Sequence, residues 1–182
     1  MSNEKPCFII RRATIADADK AREITMRTFG ETFAHLYPPS DLTTFFRQAY
    51  SSEAFNRLLS DDLQALWLLE SGGNAFGHVL AGPCGLPHAE VVPGDGEIKR
   101  LYILKQAHNA GWGAKLMQTA VDWLQRDGPR TLWIGVWSEN FGAQRFYRRH
   151  GFVRVGAYLF PVGETNDHEF ILRRRPDAPA GT

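Results

Sequence analysis

Cysteine and long apolar runs are both scarce in this sequence. Only two cysteines occur in 182 residues. Cys7 and Cys84 lie far apart without CxxC spacing, which argues against a disulfide framework and a cysteine-based zinc site. No apolar run approaches the ~18 residues of a membrane-spanning helix. The first residues, MSNEKPCFIIRR, lack the long apolar core of a signal peptide, so we expect a cytoplasmic protein.

An excess of charge of either sign is also missing. The formal net charge is +1, and no basic cluster is large enough to predict nucleic-acid binding. The one dense run, Arg173 to Arg175, is interpreted as the solvated end of a strand. Hydrophobic content of 43% is ordinary for a soluble globular domain. We expect a single domain over residues 1–175 and a flexible tail over residues 176–182.

Several familiar binding motifs are absent. The P-loop pattern GxxxxGK[ST] does not occur, and the dinucleotide fingerprint GxGxxG is broken because Leu116 stands where its third glycine is needed. The six histidines are scattered without HExxH-like spacing. They are therefore interpreted as structural or surface residues, and no metal is expected.

Hydrophobic spacing predicts alternating strands and helices. Strands are predicted in CFIIRRAT, LQALWLLE, GNAFGHVLAG, EIKRLYIL, TLWIGVW, FVRVGAYLF and DHEFILRRR. Helices are predicted from Thr14, over LTTFFRQAY with Ser40 or Asp41 as its cap, over SSEAFNRLLS, from Gly111 to about Gln125, and from Asn140 to about His150. The nearly all-apolar TLWIGVW is typical of a strand that is buried on both faces.

The stretch HNAGWGAKLM places two glycines, Gly111 and Gly113, at the start of a predicted helix. The first amides of a helix have no partner within the helix, and this end carries partial positive charge. Glycine lets an anion approach the backbone closely. The pattern predicts a phosphate or diphosphate site, although on this loop alone a tight turn is an equal interpretation.

A wider pattern follows from Glu97 to Phe152: strand, glycine loop and helix, strand, Asn140, then FYRRHGF, which fits FYxxxGF. This order resembles the GNAT superfamily of N-acetyltransferases. LWIGVWSEN and AQRFYRRHGFVRVGAYLF resemble its PaiA-like branch, some of which acetylates spermidine and spermine. The resemblance implies an α/β fold with a mixed, mostly antiparallel sheet of about six to seven strands, about four flanking helices, and splayed central strands forming a wedge for acetyl-CoA.

The resemblance assigns a set of residues to acetyl-CoA, the expected cosubstrate. The backbone of Leu101, Tyr102 and Ile103 would pair with the pantetheine arm, and Asn140 would hydrogen-bond the arm near the wedge. The pyrophosphate would be cradled by His108, Asn109, Ala110, Gly111, Trp112, Gly113 and Ala114. The first three of these depart from the usual family residues, and an imidazole titrating near ~6.5 is not a fixed cation at neutral pH.

Two residues are predicted to be catalytic. Tyr147 matches the family tyrosine that protonates the leaving thiolate, and a phenol titrating near ~10 can reprotonate a thiol titrating near ~8.5. Glu97 stands where many family members carry a general base. A base is needed because an alkylamine of pKa ~10.4 must lose a proton before it attacks. The structural alternatives are that Tyr147 is an aromatic residue of the core and that Glu97 is a charged residue at the edge of a strand.

The acceptor pocket is expected between the first helices and the loop over residues 82–96. Glu31 and Tyr37 are its candidate residues, and Glu169 is a further carboxylate that could hold a cation. A covalent intermediate on Cys84 is disfavoured, because nothing nearby in sequence activates that thiol.

The predicted reaction is direct acetyl transfer to a primary amine, whether a polyamine, another small amine or a protein amine, in a ternary complex. A backbone amide near Ile103 would stabilise the oxyanion. The expected partner is a small-molecule amine, without nucleic acid or membrane, and a homodimer is left open. A non-catalytic acyl-CoA sensor on the same scaffold is the main alternative, and a dinucleotide-binding module is a weaker one.

Overall fold

A computed structural model describes residues 7–176 of the chain, so most of the predicted tail, from residue 177 onward, lies outside the described residues. The strands are β1 (Ile9–Arg12), β2 (Ala65–Ser71), β3 (Asn74–Pro83), β4 (Gly96–Ile103), β5 (Leu132–Trp137), β6 (Val153–Val162) and β7 (Thr165–Arg174). The α-helices are α1 (Ala18–Phe33), α2 (Pro39–Ala49), α3 (Ser52–Ser60), α4 (Trp112–Leu124) and α5 (Phe141–Arg149). Within the described range, no helix combines the length and apolarity needed to cross a bilayer.

All seven strands belong to one mixed sheet in the order β1-β2-β3-β4-β5-β7-β6. Neighbouring strands are antiparallel except β4 and β5, which are parallel. These two central strands pair only where Gly96 faces Leu132 and Glu97 faces Trp133. Beyond Glu97 they are no longer paired, so the facing edges of both strands are open. The structure therefore confirms the predicted mixed sheet with splayed central strands.

The sheet separates two hydrophobic layers, and β2 shows how the sequence builds them. Leu66 and Leu68 pack with α1, α2 and α3, whereas Trp67 and Leu69 pack with α4 and α5. This alternation follows from the two-residue period of a strand. The open edges of β4 and β5 consequently lie between a layer of three helices and a layer of two.

The start of α2 differs from the prediction. Ser40 or Asp41 was expected as its cap, but the helix begins at Pro39 with Pro38 as the cap residue. Proline suits the first helical turn because its missing N–H would have no partner there. Asp41 instead accepts a hydrogen bond from Thr165 Oγ1 at 3.1 Å, which ties α2 to β7.

Two predicted turns are confirmed. Gly72 and Gly73 connect β2 to β3 with φ angles of 55° and 79°. Gly151 ends α5 with a φ of 81°, and the Phe152 N–H donates to the Tyr147 carbonyl at 3.1 Å. Both turns use the left-handed region that glycine adopts at low cost.

Candidate active site

A β-bulge in β4 directs several polar side chains toward one side of the sheet. Across from β3, Leu80 faces Arg100 and Ala81 faces Ile98, so Lys99 is an extra residue on β4. With regular alternation, Lys99 and Arg100 would point to opposite faces. Because of the bulge, both line the same cavity.

This cavity lies on the side of the sheet covered by α1, α2 and α3. Its volume of ≈ 440 Å³ is within the range of about 300–1,000 Å³ for small-molecule sites. Eight of the residues that line it are aromatic: Phe29, Phe33, Tyr37, Phe45, Tyr50, Tyr102, Tyr158 and Phe160. Its charged residues are Glu97, Lys99, Arg100, Asp167 and Glu169. The arrangement suits a small organic molecule with polar groups.

Glu97 lies at the last paired position before β4 and β5 separate. Its side chain is buried, and Oε2 accepts hydrogen bonds from the Gly85 N–H at 2.8 Å and from Lys99 Nζ at 3.0 Å. Among the described residues, Oε1 accepts no hydrogen bond. One carboxylate oxygen therefore fixes the side chain, and the other is free to receive a proton.

Tyr147 lies on α5, in the layer on the opposite side of the sheet. Its ring packs against Phe146 and Phe152, and its hydroxyl forms no hydrogen bond within residues 7–176. Burial, with a smaller effect of the Glu169 carboxylate, raises the pKa of Tyr147. The phenol is therefore protonated at neutral pH and can act as a proton donor.

The glycine loop forms the N-terminus of α4, as predicted. Gly111 is the residue before the helix with a φ of 78°, and Asn109 is also left-handed with a φ of 61°. Left-handed conformations are most accessible to glycine, and asparagine is among the other residues that adopt them. His108 does not project freely, because its Nε2 lies 2.7 Å from the Ile103 carbonyl oxygen. The side chain of His108 thus binds the end of β4.

Two of the three predicted backbone positions, Leu101 and Ile103, lie on the open edge of β4. The Leu104 N–H donates to the Phe76 carbonyl on β3 at 2.8 Å. Because the polar groups of successive strand residues alternate between the two edges, those of Leu101 and Ile103 face β5, whereas those of Tyr102 face β3. Tyr102 instead contributes its side chain to the cavity.

Asn140 caps α5. Its Oδ1 accepts from the Ala143 N–H at 3.0 Å, which confirms the predicted cap. Because the carbonyl oxygen is used in this way, the side-chain NH₂ is the group with which Asn140 can bind a ligand near the cleft.

Of the two predicted acceptor residues, Glu31 and Tyr37, only Tyr37 lies at the cavity. Tyr37 lines the cavity and donates a hydrogen bond to Asp167. Glu31 does not line it; its exposed side chain accepts from the Lys105 N–H at 3.0 Å and links α1 to the segment after β4. The loop over residues 82–96, expected to form part of the pocket, does not line the cavity either. It contributes the Gly85 N–H that holds Glu97.

Glu169 does line the cavity and accepts from the Tyr158 hydroxyl at 2.5 Å. Burial is the main reason that the pKa of Glu169 is raised. An ideal Cβ at Gly135 would lie 2.8 Å from both Glu169 Oε2 and the Tyr158 hydroxyl, so this pair fits over β5 only because residue 135 is glycine. A glycine inside the apolar strand LWIGVW was the sequence signal for such a close approach.

Two side chains near the site, the thiol of Cys84 and the imidazole of His78, are poorly suited to act as nucleophile or base. Burial raises the pKa of the Cys84 thiol to about 11, so the thiolate is scarce at neutral pH. Burial, with a smaller contribution from Arg100, lowers the pKa of His78 to about 3, so its imidazole is neutral. Within the described residues, no cluster of three or more histidine, cysteine, aspartate or glutamate side chains could hold a metal ion.

Comparisons with known proteins agree with this architecture. The sequence profile of the acetyltransferase (GNAT) family matches residues 20–152. An uncharacterised N-acetyltransferase from Mycobacterium bovis is 28% identical over 167 residues, covering 88% of this chain and 98% of that protein. Another from Lactobacillus delbrueckii subsp. lactis is 25% identical over 151 residues, covering 83% of this chain and 87% of that protein.

Solved structures show the same fold. The PaiA N-acetyltransferase from Thermoplasma acidophilum, crystallised in complex with coenzyme A, superposes with a TM-score of 0.74 at 17% identity. The superposition covers 93% of this chain and 99% of that one. With the family profile covering most of its length, the chain belongs to the acetyltransferase (GNAT) family and is an N-acetyltransferase.

Proposed function

We propose that this chain transfers the acetyl group of acetyl-CoA directly to a primary amine bound in the aromatic cavity. The observation that carries the proposal is the opening between β4 and β5, which begins directly after Glu97. Along this opening the backbone groups of Leu101 and the N–H of Ile103 are open, whereas the Ile103 carbonyl oxygen lies 2.7 Å from His108 Nε2. Such an edge can bind an extended arm as if it were an added strand. We therefore assign Leu101 and Ile103 to the pantetheine arm.

The far end of the cleft suits the pyrophosphate. The α4 N-terminus presents backbone N–H groups without helical partners, which attract anions. Gly113 lies in the first turn, where an ideal Cβ would be 3.6 Å from the Phe146 ring and 3.8 Å from Ile103 Cδ1. The missing side chain therefore keeps backbone accessible at the junction of α4, α5 and β4. The residues present fit acetyl-CoA, whose thioester supplies the activated acyl group.

Glu97 and Tyr147 divide the proton transfers between them. Glu97 takes a proton from the ammonium form of the acceptor, directly or through water, so that the neutral nitrogen can attack the thioester carbon. N–H groups on the open edge of β4 stabilise the oxyanion. When the carbon–sulfur bond breaks, Tyr147 donates its proton to the departing sulfur. The attacking nitrogen, positively charged after bond formation, releases its surplus proton through solvent, and this restores the phenol of Tyr147. The nitrogen gains the acetyl group, and free CoA thiol is released.

A direct transfer also agrees with the state of Cys84. Its raised pKa leaves little thiolate at neutral pH to form an acyl-enzyme. The transfer therefore needs both substrates bound at once, the acyl donor in the cleft and the amine in the cavity. Initial velocities should accordingly give intersecting rather than parallel reciprocal plots.

Gly113→Ala is expected to weaken acetyl-CoA binding about tenfold or more, because the added methyl group holds the pyrophosphate away from amides that donate to a charged group. The neighbours of this Cβ lie at ordinary contact distance, so the folded chain accommodates it. Isothermal titration calorimetry with acetyl-CoA measures the dissociation constant, and thermal unfolding monitors the fold.

The matched control is Gly30→Ala in α1, where a new Cβ has no atom within 4 Å. It should keep the wild-type affinity, and alanine should stabilise the helix interior by about 0.5–1 kcal/mol. Substituting Gly111 is a poorer test, because a β-branched residue at its φ of 78° is strained whatever the ligand does. If Gly113→Ala bound acetyl-CoA with unchanged affinity, the assignment of the pyrophosphate to the α4 N-terminus would be wrong.

The function is tested by thiol release from acetyl-CoA in the presence of a panel of primary amines, with hydrolysis in the absence of amine as the baseline. The proposal predicts amine-dependent release of CoA for at least one class. Tight acetyl-CoA binding without turnover of any amine would instead identify an acyl-CoA sensor on this scaffold.

A further inference from the structure

Arg100 reaches the acceptor cavity without an ionic partner. It lines the cavity wall, and none of the ion pairs formed within residues 7–176 includes it. One of its terminal nitrogens, Nη1, is buried and has no hydrogen-bond partner in this part of the chain. A buried donor that remains unpaired is costly, and more so when it is charged. A ligand with a suitable acceptor would relieve this cost.

Each of the other charged side chains of the cavity has at least one hydrogen-bond or ionic partner. Lys99 pairs with Glu97 at 3.0 Å. On β7, Asp167 accepts from the Tyr37 hydroxyl and Glu169 accepts from the Tyr158 hydroxyl. Tyrosine hydroxyls thus hold the two carboxylates of β7, and the guanidinium of Arg100 forms no ion pair within residues 7–176.

The position of Arg100 suits recognition of a carboxylate. Its guanidinium carbon lies 4.8 Å from the centre of the Tyr50 ring and 5.9 Å from that of Phe55. Stacking on aromatic faces orients the planar group and leaves its N–H edges available for two parallel hydrogen bonds.

We infer that the acceptor is an amino acid-type molecule, in which a primary amine and a carboxylate occur together, and that Arg100 binds the carboxylate. The inference rests on the proposed acetyl transfer and specifies its substrate class. The aromatic wall around Phe29, Phe45 and Phe160 favours an apolar or aromatic side chain on that acceptor.

Matched substrate pairs test the inference on the wild-type protein. Phenylalanine is compared with 2-phenylethylamine, and leucine with 3-methylbutylamine, so that each pair differs only in the carboxylate; spermidine is included as the polycation. With acetyl-CoA saturating, kcat/KM for the amino acid should exceed that for its decarboxylated partner by about tenfold to hundredfold, the value of a hydrogen-bonded charge.

Arg100→Gln gives a second, independent measurement. We expect a similar loss of kcat/KM for the amino acid, mostly through KM, and no comparable loss for the decarboxylated amine. Arg100→Lys keeps the charge without the planar group and should recover part of the loss. Arg145→Gln, at an exposed position on α5, is the control for removing an arginine. The acetyl-CoA dissociation constant and the melting temperature show whether each variant is folded.

The outcomes separate the inference from the function on which it rests. If the decarboxylated amines or spermidine are turned over as well as the amino acids, the inference is overturned while acetyl transfer stands. Equal losses on both members of a pair in Arg100→Gln would also overturn it. If no amine of either class is acetylated, the proposed function fails, and the substrate assignment fails with it.

Discussion

Tyr147→Phe is expected to lower kcat about hundredfold or more, within the range for loss of a general acid, and to leave the acetyl-CoA dissociation constant unchanged. Only one oxygen is removed, and it forms no hydrogen bond within the described chain, so no buried partner is left unsatisfied. The ring contacts with Phe146 and Phe152 are retained. The loss should therefore appear in the chemical step, measured by thiol release at saturating acetyl-CoA and amine.

Two features distinguish this effect from a packing defect. The melting temperature should remain close to that of the wild type, since the phenylalanine ring fills the same space. Trp123→Phe, an aromatic change on α4 where the indole contacts Trp67 and Arg126, serves as the control and should retain full activity. A Tyr147→Phe variant with wild-type kcat would assign the leaving-group proton to water or to another residue.

Glu97→Gln is expected to reduce kcat/KM for the amine by about a hundredfold or more near pH 7, because the acceptor then loses its proton without a positioned base. Glutamine keeps a carbonyl oxygen that can accept from the Gly85 N–H, so the local hydrogen bonding is largely preserved. The variant should also bind acetyl-CoA normally.

The pH profile gives the sharper readout for Glu97. As the pH approaches the pKa of a free alkylamine, ~10.4, solvent deprotonates the acceptor and the base becomes dispensable. The rates of wild type and Glu97→Gln should therefore converge at high pH. Glu164→Gln, at an exposed position in the β6–β7 turn, should follow the wild type throughout. A constant ratio between Glu97→Gln and wild type at every pH would mean that Glu97 has a structural role.

Local patterns predicted the elements well, and the resemblance to the GNAT superfamily predicted the splayed cleft. The glycine pairs, the Asn140 cap and the apolar strand β5 are specified by residues that are close in sequence, so hydrophobic period and turn chemistry were sufficient. The start of α2 was mispredicted because Ser40 and Asp41 are strong capping residues, whereas the Pro38–Pro39 pair imposes the boundary sterically.

The acceptor cavity could be predicted only in part, because it is built from distant strands. Asp167 and Tyr37 are 130 residues apart in sequence yet hydrogen-bonded. Nothing in EIKRLYIL marks Arg100 as a cavity residue, since the bulge at Lys99 sets its direction and depends on the register with β3. Glu31 looked equivalent to Tyr37 by position, but it lies outside the cavity and binds the Lys105 backbone.

In the proposed reaction, the chain moves an acetyl group from acetyl-CoA onto an amine nitrogen. The most direct measurement is mass spectrometry of the acceptor after incubation with isotopically labelled acetyl-CoA, with CoA thiol quantified in the same sample. Labelled N-acetyl product is expected in equal amount to the released CoA, with almost none from Tyr147→Phe. Bound acetyl-CoA with no labelled product on any amine, or thiol released without acetylated amine, would contradict it.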